Sequence, residues 1–205
     1  MYKVPSIPSF TLKGVDDKIQ DLQVILTSLS WLDYSFGLCE HAHREEDGVT
    51  NYPAQWINNK TDYIDLRPFP DDIYSYSFWD IEDPGLVEYN NDGENVSKRK
   101  YAHYLYNAAC IFVMDLNQID NNSTFNETKS KIREDIMNKF ERGLIAFDSH
   151  FWVTGIYEHD ITQIFKGFTI DKPEEWKFPY QAFRIEGQLS FKRACPVSNT
   201  YTINT

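Results

Sequence analysis

Cysteine is scarce in this chain: Cys39, Cys110 and Cys195 are the three it has, far apart and with no Cys-x-x-Cys pair. That argues against a disulfide framework and against a cysteine-rich zinc site, leaving reduced, mostly buried thiols. Long apolar runs are missing too, and residues 1–14, broken by Pro5 and Pro8, lack a continuous apolar core. Neither a membrane span nor a secretory leader is therefore expected, and the protein reads as one made and used in solution. Basic residues are outnumbered, 20 Lys and Arg against 31 Asp and Glu, for a formal charge of −11. Such a balance weighs against gripping nucleic acid through its phosphates, which takes lysine and arginine to displace counterions. No GxxxxGK[ST], GxGxxG or Gly-x-Ser-x-Gly pattern occurs, so neither a phosphate cradle nor a nucleophile elbow is signalled.

What the chain has in quantity is aromatic residues, 16% of 205, an enrichment typical of β-rich cores and of interfaces. They are densest from Trp56 to Tyr89. Ile64 and Leu66 alternate there with Tyr63, Asp65 and Arg67 until Pro68, Pro70 and Asp71-Asp72 stop the strand. Tyr74, Tyr76, Phe78 and Asp80 then alternate with Ser75, Ser77, Trp79 and Ile81 as far as Asp83-Pro84-Gly85. The two runs read as a hairpin. Large rings on both faces of the second run call for cover on each side, the chain's own core on one and a neighbouring subunit on the other.

Elsewhere the pattern is regular. Val15, Ile19, Leu22, Ile25 or Leu26, Leu29 and Leu32 recur at helical spacing. Leu38 to Ala42 reads as a short strand before a charged turn at Glu45 to Gly48. Asn90 to Lys100 and Asn121 to Thr128 read as polar loops that project, and the apolar run within Tyr101 to Ile119 as a central strand covered on both faces. A second helix from about Asn126 to Arg142 is signed by Thr124 and Glu127 at capping-box spacing, by Ile132, Ile136 and Phe140 on one face, and by Gly143. Phe183, Ile185, Gly187, Leu189 and Phe191 alternate with Arg184, Glu186, Gln188, Ser190 and Lys192 in an amphipathic strand. The expected fold is α+β: a mostly antiparallel sheet with two helices packed on one face and long projecting loops. Residues 1–14 form an extended arm, 15–195 one domain and 196–205 a tail.

Several side-chain groupings could carry chemistry. His41-Ala42-His43, near Glu40, Glu45, Glu46 and Asp47, has the composition of a metal site, and on a strand both imidazoles point to one face. A small metal-dependent hydrolase using His41 and His43 is one alternative reading. His150, His159 and Asp160 invite a triad without supplying a nucleophile turn, and Asp71 with Asp72, or Asp80, Glu82 and Asp83, are carboxylates that a concave site would have to tune. Tyr74, Tyr76 and Trp79 could stack a sugar, which makes a carbohydrate-binding module the other alternative. Solvated turns and packed rings account for these groups more simply, so no catalytic residue, cofactor or metal is assigned. Tyr74, Tyr76, Phe78 and Trp79 are instead taken as contacts between subunits, with Lys98, Arg99 and Lys100 facing acid on a neighbour.

The run of motifs Tyr34-Ser35-Phe36-Gly37, Tyr52-Pro53-Ala54, Asp62-Tyr63-Ile64-Asp65-Leu66, Pro70-Asp71-Asp72, Ser77-Phe78-Trp79 and Asp83-Pro84 resembles neck and tail-completion proteins of tailed bacteriophages. The likeness is to the tail-terminator-like members of phages of the Bacteroidetes, including the crAss-like group, and covers the first hundred residues best. It implies a structural virion protein, not an enzyme: a homo-oligomeric ring between portal and tail, touching adjacent portal, neck or tail proteins. DNA would pass through such a ring as cargo without sequence-specific binding, and no membrane would be involved. The loops at Asn90 to Lys100 and Asn121 to Thr128 are longer than a minimal terminator needs.

Overall fold

A computed structural model describes residues 14–44, 50–57, 62–66, 73–82, 86–89, 101–119, 125–141, 143–146, 149–170 and 179–194. Its elements in chain order are α1 (Val15–Leu26), β1 (Tyr34–Leu38), β2 (Glu40–Arg44), β3 (Thr50–Ile57), β4 (Asp62–Asp65), β5 (Ser75–Ile81), β6 (Leu86–Tyr89) and β7 (Tyr101–Asp115). There follow α2 (Leu116–Ile119), α3 (Phe125–Phe140), β8 (Leu144–Ala146), β9 (Ser149–Tyr157), α4 (Ile161–Ile164) and β10 (Tyr180–Ala194).

Strands dominate, and they form two sheets. The larger runs β1-β5-β7-β10-β9-β8, with β6 also on β7, and the smaller is β2-β3-β4. Among the described residues, only the β1–β5 pairing in the larger sheet is parallel. The spine is the antiparallel pair β7–β10, in register over fifteen residues from Tyr101↔Ala194 to Asp115↔Tyr180, a ribbon of roughly 50 Å at strand rise.

The strand period sorts β7 onto two faces. Ala108, Cys110, Phe112 and Met114 join Ile19, Leu22 and Leu26 of α1, Ile132, Ile136 and Phe140 of α3, and Phe183, Ile185 and Leu189 of β10 in one core. Ala109, Ile111 and Val113 join Phe36, Leu66, Tyr76, Phe78, Ile164 and Phe165 in a second core on the opposite face. At about 1.5–3 kcal/mol per buried large apolar side chain, these two cores are what bind the layers together.

The expected architecture is corrected here. One sheet with two helices on one face gives way to a sheet-dominated fold that has, among the described residues, two sheets and four helices, two of which are single turns of four residues. The second face of the large sheet is also covered, by α4 and by Leu66 just beyond β4. The hairpin is corrected as well. β4 pairs with β3 in the small sheet, and β5 lies in the large sheet between β1 and β7. A strand flanked on both sides and covered on both faces needs rings on both faces, so no neighbouring subunit has to be invoked to bury them.

Helix α1 stops six residues short of the predicted Leu32. Thr27 Oγ1 and Ser28 Oγ donate to the carbonyls of Val24 (2.6 Å) and Ile25 (3.0 Å), competing for groups the next turn would use. Helix α3 ends as expected: Gly143 sits at φ +72°, and its N–H donates to Phe140 O at 2.9 Å. The N-terminal arm up to residue 13, the turn 45–48, the loop 90–100, Thr124 and the tail 196–205 lie outside the described residues.

Candidate functional site

The chain crosses from one sheet to the other at Cys39. This single residue separates β1 from β2, and its N–H donates to Trp79 O at 2.7 Å, which ties the crossing to β5. The next residue of β5, Asp80, has a buried side chain on the second-core face, where its cross-strand partner is Ala109. Ala109 is in turn opposite Glu186 of β10. Ala109 thus stands between two carboxylates, and the Arg184 guanidinium, on the same face of β10 as Glu186, reaches both sides of it.

Arg184 is fully buried. Its Nε donates to Glu186 Oε1 at 3.0 Å, Nη1 to Ile164 O at 3.2 Å and Nη2 to Glu82, with Asp80 Oδ2 3.8 Å away. Lys166 Nζ reaches the other oxygen of Glu82 at 3.0 Å. Burial pushes the Glu82 carboxyl up, but hydrogen bonds from Lys166 and Arg184 and their charges outweigh it, so the net shift is downward. The hydrogen bond from Lys166 to Glu82 raises the lysine correspondingly.

On the small sheet, His41 Nε2 lies 2.8 Å from Asp80 Oδ1, so this pair links the two sheets. Its ring rests on Phe168 at a centroid distance of 4.6 Å. Asn51 Nδ2 donates to Gly167 O at 2.5 Å and lies 3.1 Å from His41 Nδ1. A donor at Nδ1 makes that nitrogen the acceptor and puts the ring proton on Nε2, directed at Asp80. Cys39 Sγ, a His41 ring nitrogen and an Asp80 oxygen all lie within 4.8 Å of one another. Burial raises the Cys39 thiol well above its ordinary value, Asp80 raises it further, and Arg184 opposes them only in part. In this state the sulfur carries its proton and is not a thiolate nucleophile.

The structure sorts the sequence-predicted residues differently from the way their spacing grouped them. His41 enters the cluster while His43, two residues on, is exposed and outside it; Glu45, Glu46 and Asp47 lie outside the described residues. Of the four rings assigned to subunit contacts, Tyr76 and Phe78 are in the second core, the Tyr76 hydroxyl donating to Leu66 O at 2.8 Å, and Trp79 is in the first core, edge-on to Phe151. Each is buried in its own chain, leaving Tyr74, 42% exposed, as the ring another molecule can reach. Trp79 also faces away from Tyr76, so Tyr74, Tyr76 and Trp79 do not form one platform for a sugar. Lys98, Arg99, Lys100, Asp71, Asp72 and Asp83 lie outside the described residues. His159 is exposed beside Glu158, and the His150 ring lies against Trp152 at a centroid distance of 4.1 Å, tilted by 41°.

Sequence reasoning missed Cys39, Arg184, Glu186 and Lys166. A signal was available: Asp80-x-Glu82 and Arg184-x-Glu186 each place two charges on one face of a strand, and opposed charged pairs on two apolar strands suggest a buried network.

A different surface is left open at the other end of the large sheet. Ile145 pairs with His150, His150 with Ser190, and Trp152 with Gln188, so these side chains share one face. Ile145 is 63% exposed and Trp152 42%. From Trp152 to Tyr157, β9 pairs on one side only among the described residues. Compared with known proteins, the chain matches no family model and no curated sequence.

Proposed function

We propose that this chain is a non-enzymatic assembly protein of the tailed-phage neck, whose copies associate head to tail into a ring between portal and tail with DNA passing through the lumen. The observation that carries this reading is the open end of the large sheet, where Ile145 and Trp152 stand exposed beside a half-paired strand. Exposed tryptophan and isoleucine next to backbone that pairs on one side only among the described residues suit a contact with another copy, which can add both apolar cover and strand hydrogen bonds. A heterologous contact of this kind repeats until rotation closes the ring.

Two further features support the reading. The charge of −11 suits a channel along which DNA slides without sticking. The ionisable groups of the buried cluster also bind one another: both ring nitrogens of His41 have neighbours and Arg184 is shared among carboxylates.

Native mass spectrometry and electron microscopy of the purified chain test the proposal. A closed ring of one subunit number is expected. Trp152→Ser with Ile145→Ser should weaken association by roughly thirtyfold or more, as for loss of a hot spot of about 2 kcal/mol, while leaving the fold intact. A wild-type chain that stays monomeric at high concentration and is missing from phage particles would overturn it.

A further inference from the structure

We propose that Cys39, His41 and Asp80 form a binding site for one zinc ion that fastens the small sheet to the large one. The inference stands apart from the assembly reading and rests on the cluster alone. Three side chains from three places in the fold, the crossing residue, β2 and β5, bring sulfur, nitrogen and oxygen donors within 4.8 Å of one another. That donor set, a thiolate, an imidazole and a carboxylate, is one that zinc takes and that the harder ions Mg²⁺ and Ca²⁺ do not. His-x-His spacing does not build it, since His43 has no part in it.

The surrounding charge fits a cation despite the nearby guanidinium. Asp80, Glu82 and Glu186 carry three negative charges against two positive ones on Arg184 and Lys166, and Arg184 is directed mainly at Glu82 and Glu186, 3.8 Å from the nearer Asp80 oxygen. Ionising Cys39 adds one more negative charge, so a dication brings the cluster to neutrality.

The proton accounting is simple. Zinc displaces the Cys39 thiol proton to solvent, forming the zinc–sulfur bond, and takes the His41 Nε2 lone pair once the ring's single proton has moved to Nδ1. At Nδ1 that proton needs an acceptor. Asn51 has one to offer, because its Oδ1 is buried with no hydrogen-bond partner among the described residues. Turning the Asn51 amide presents Oδ1 to Nδ1–H; because the same turn sets Oδ1 against Gly167 O, now 2.5 Å from Nδ2, the Gly167 carbonyl has to swing away when the ion binds, and a second-shell acceptor of this kind commonly orients a metal-bound histidine. Each ion bound therefore releases one proton. The His41 side chain is 39% exposed, which leaves solvent access for a water as fourth ligand.

The test uses the full chain carrying Cys195→Ser, reduced and stripped with a chelator. Zinc is titrated against a chromophoric chelator, with proton release followed in weak buffer, and Co²⁺ is titrated in parallel. One ion per chain, one proton per ion, a thiolate-to-cobalt charge-transfer band and slower amide exchange in β2 and β3 are expected. Cys39→Ser should remove the band and weaken zinc binding by roughly a hundredfold or more, at least the loss seen when an outer-shell partner of a metal is removed. His43→Ala should change neither. If Cys39→Ser does not fold, the cobalt spectrum of the parent decides. No saturable one-to-one binding, cobalt binding without the thiolate band, or equal loss in His43→Ala would each overturn the site.

Discussion

Replacing Arg184 by methionine isolates what the buried network contributes. Methionine keeps a long apolar stem in the buried space Arg184 occupies and removes the guanidinium, so the change deletes charge more than volume. Three carboxylates then depend on what remains: Glu82 keeps Lys166, Asp80 keeps His41, and Glu186 loses its bond from Nε. Removing one partner of a fully buried charge network costs about 3–5 kcal/mol; Glu82 and Glu186 keep 24% and 21% of their side-chain surface in water and only Asp80 is buried, so the low end, about 3 kcal/mol, applies. In a chain of 205 residues each kcal/mol is worth about 2–4 °C in Tm, so melting should fall by roughly 6–12 °C at neutral pH. The effect has a signature in pH. Glu82 has a folded pKa below its ordinary 4.5, so its stabilisation is complete above that value and disappears as pH falls through the folded pKa. Part of that depression comes from Arg184. The gap in Tm between wild type and Arg184→Met should therefore be widest near pH 7 and shrink below about pH 4.5. Calorimetry across pH 3 to 8 reads both quantities. A gap under about 2 °C at neutral pH, or one that widens in acid, would refute the assignment of Arg184 as the organiser of this cluster.

Two glycines should resist substitution for different reasons. At Gly143, with φ +72°, a Cβ meets Phe151 O at 2.4 Å, so Gly143→Ala should cost about 1–3 kcal/mol in strain and clash. At Gly187 the β9–β10 register shifts and a Cβ meets Trp152 O at 2.1 Å and the Phe151 ring at 2.6 Å. Gly187→Ala should cost about 1–3 kcal/mol by overpacking, and denaturant melts that leave either variant at the wild-type midpoint would contradict the packing described. Burial raises both Cys39 and Cys110 well above the ordinary thiol value, so metal-free native protein at pH 8 should protect both from iodoacetamide. Peptide mass spectrometry showing rapid labelling of Cys39 before unfolding would contradict its burial.

Local sequence signals carried as far as single elements and no further. The β7 run from Ala108 to Met114 reads as doubly covered because it has no polar face, and Gly143 marks the end of α3 because a left-handed residue is needed there. Pairing was illegible. Nothing in Tyr63 to Leu66 says that its partner is β3 and not the aromatic run that follows, since both choices satisfy the same alternation. Arg184 shows the limit most sharply: by period it belongs to the polar side of β10, and only the layer formed by α4 and the small sheet turns that side into an interior. The cluster at Cys39, His41 and Asp80 was hidden for the same reason, because contact between residues 39 positions apart is set by topology.

The long β7–β10 ladder also has a consequence for biosynthesis. The central strand is complete at Asp115, yet its fifteen-residue partner ends only at Ala194, so a nascent chain carries the Ala-Ala-Cys-Ile-Phe-Val-Met segment with one edge unsealed until β10 itself has left the ribosome. Non-local pairing of this kind makes for slow folding, and an apolar edge kept waiting is a site where chains aggregate. Yield of soluble material should consequently respond more to growth temperature and chaperone supply than the stability of the finished fold would suggest.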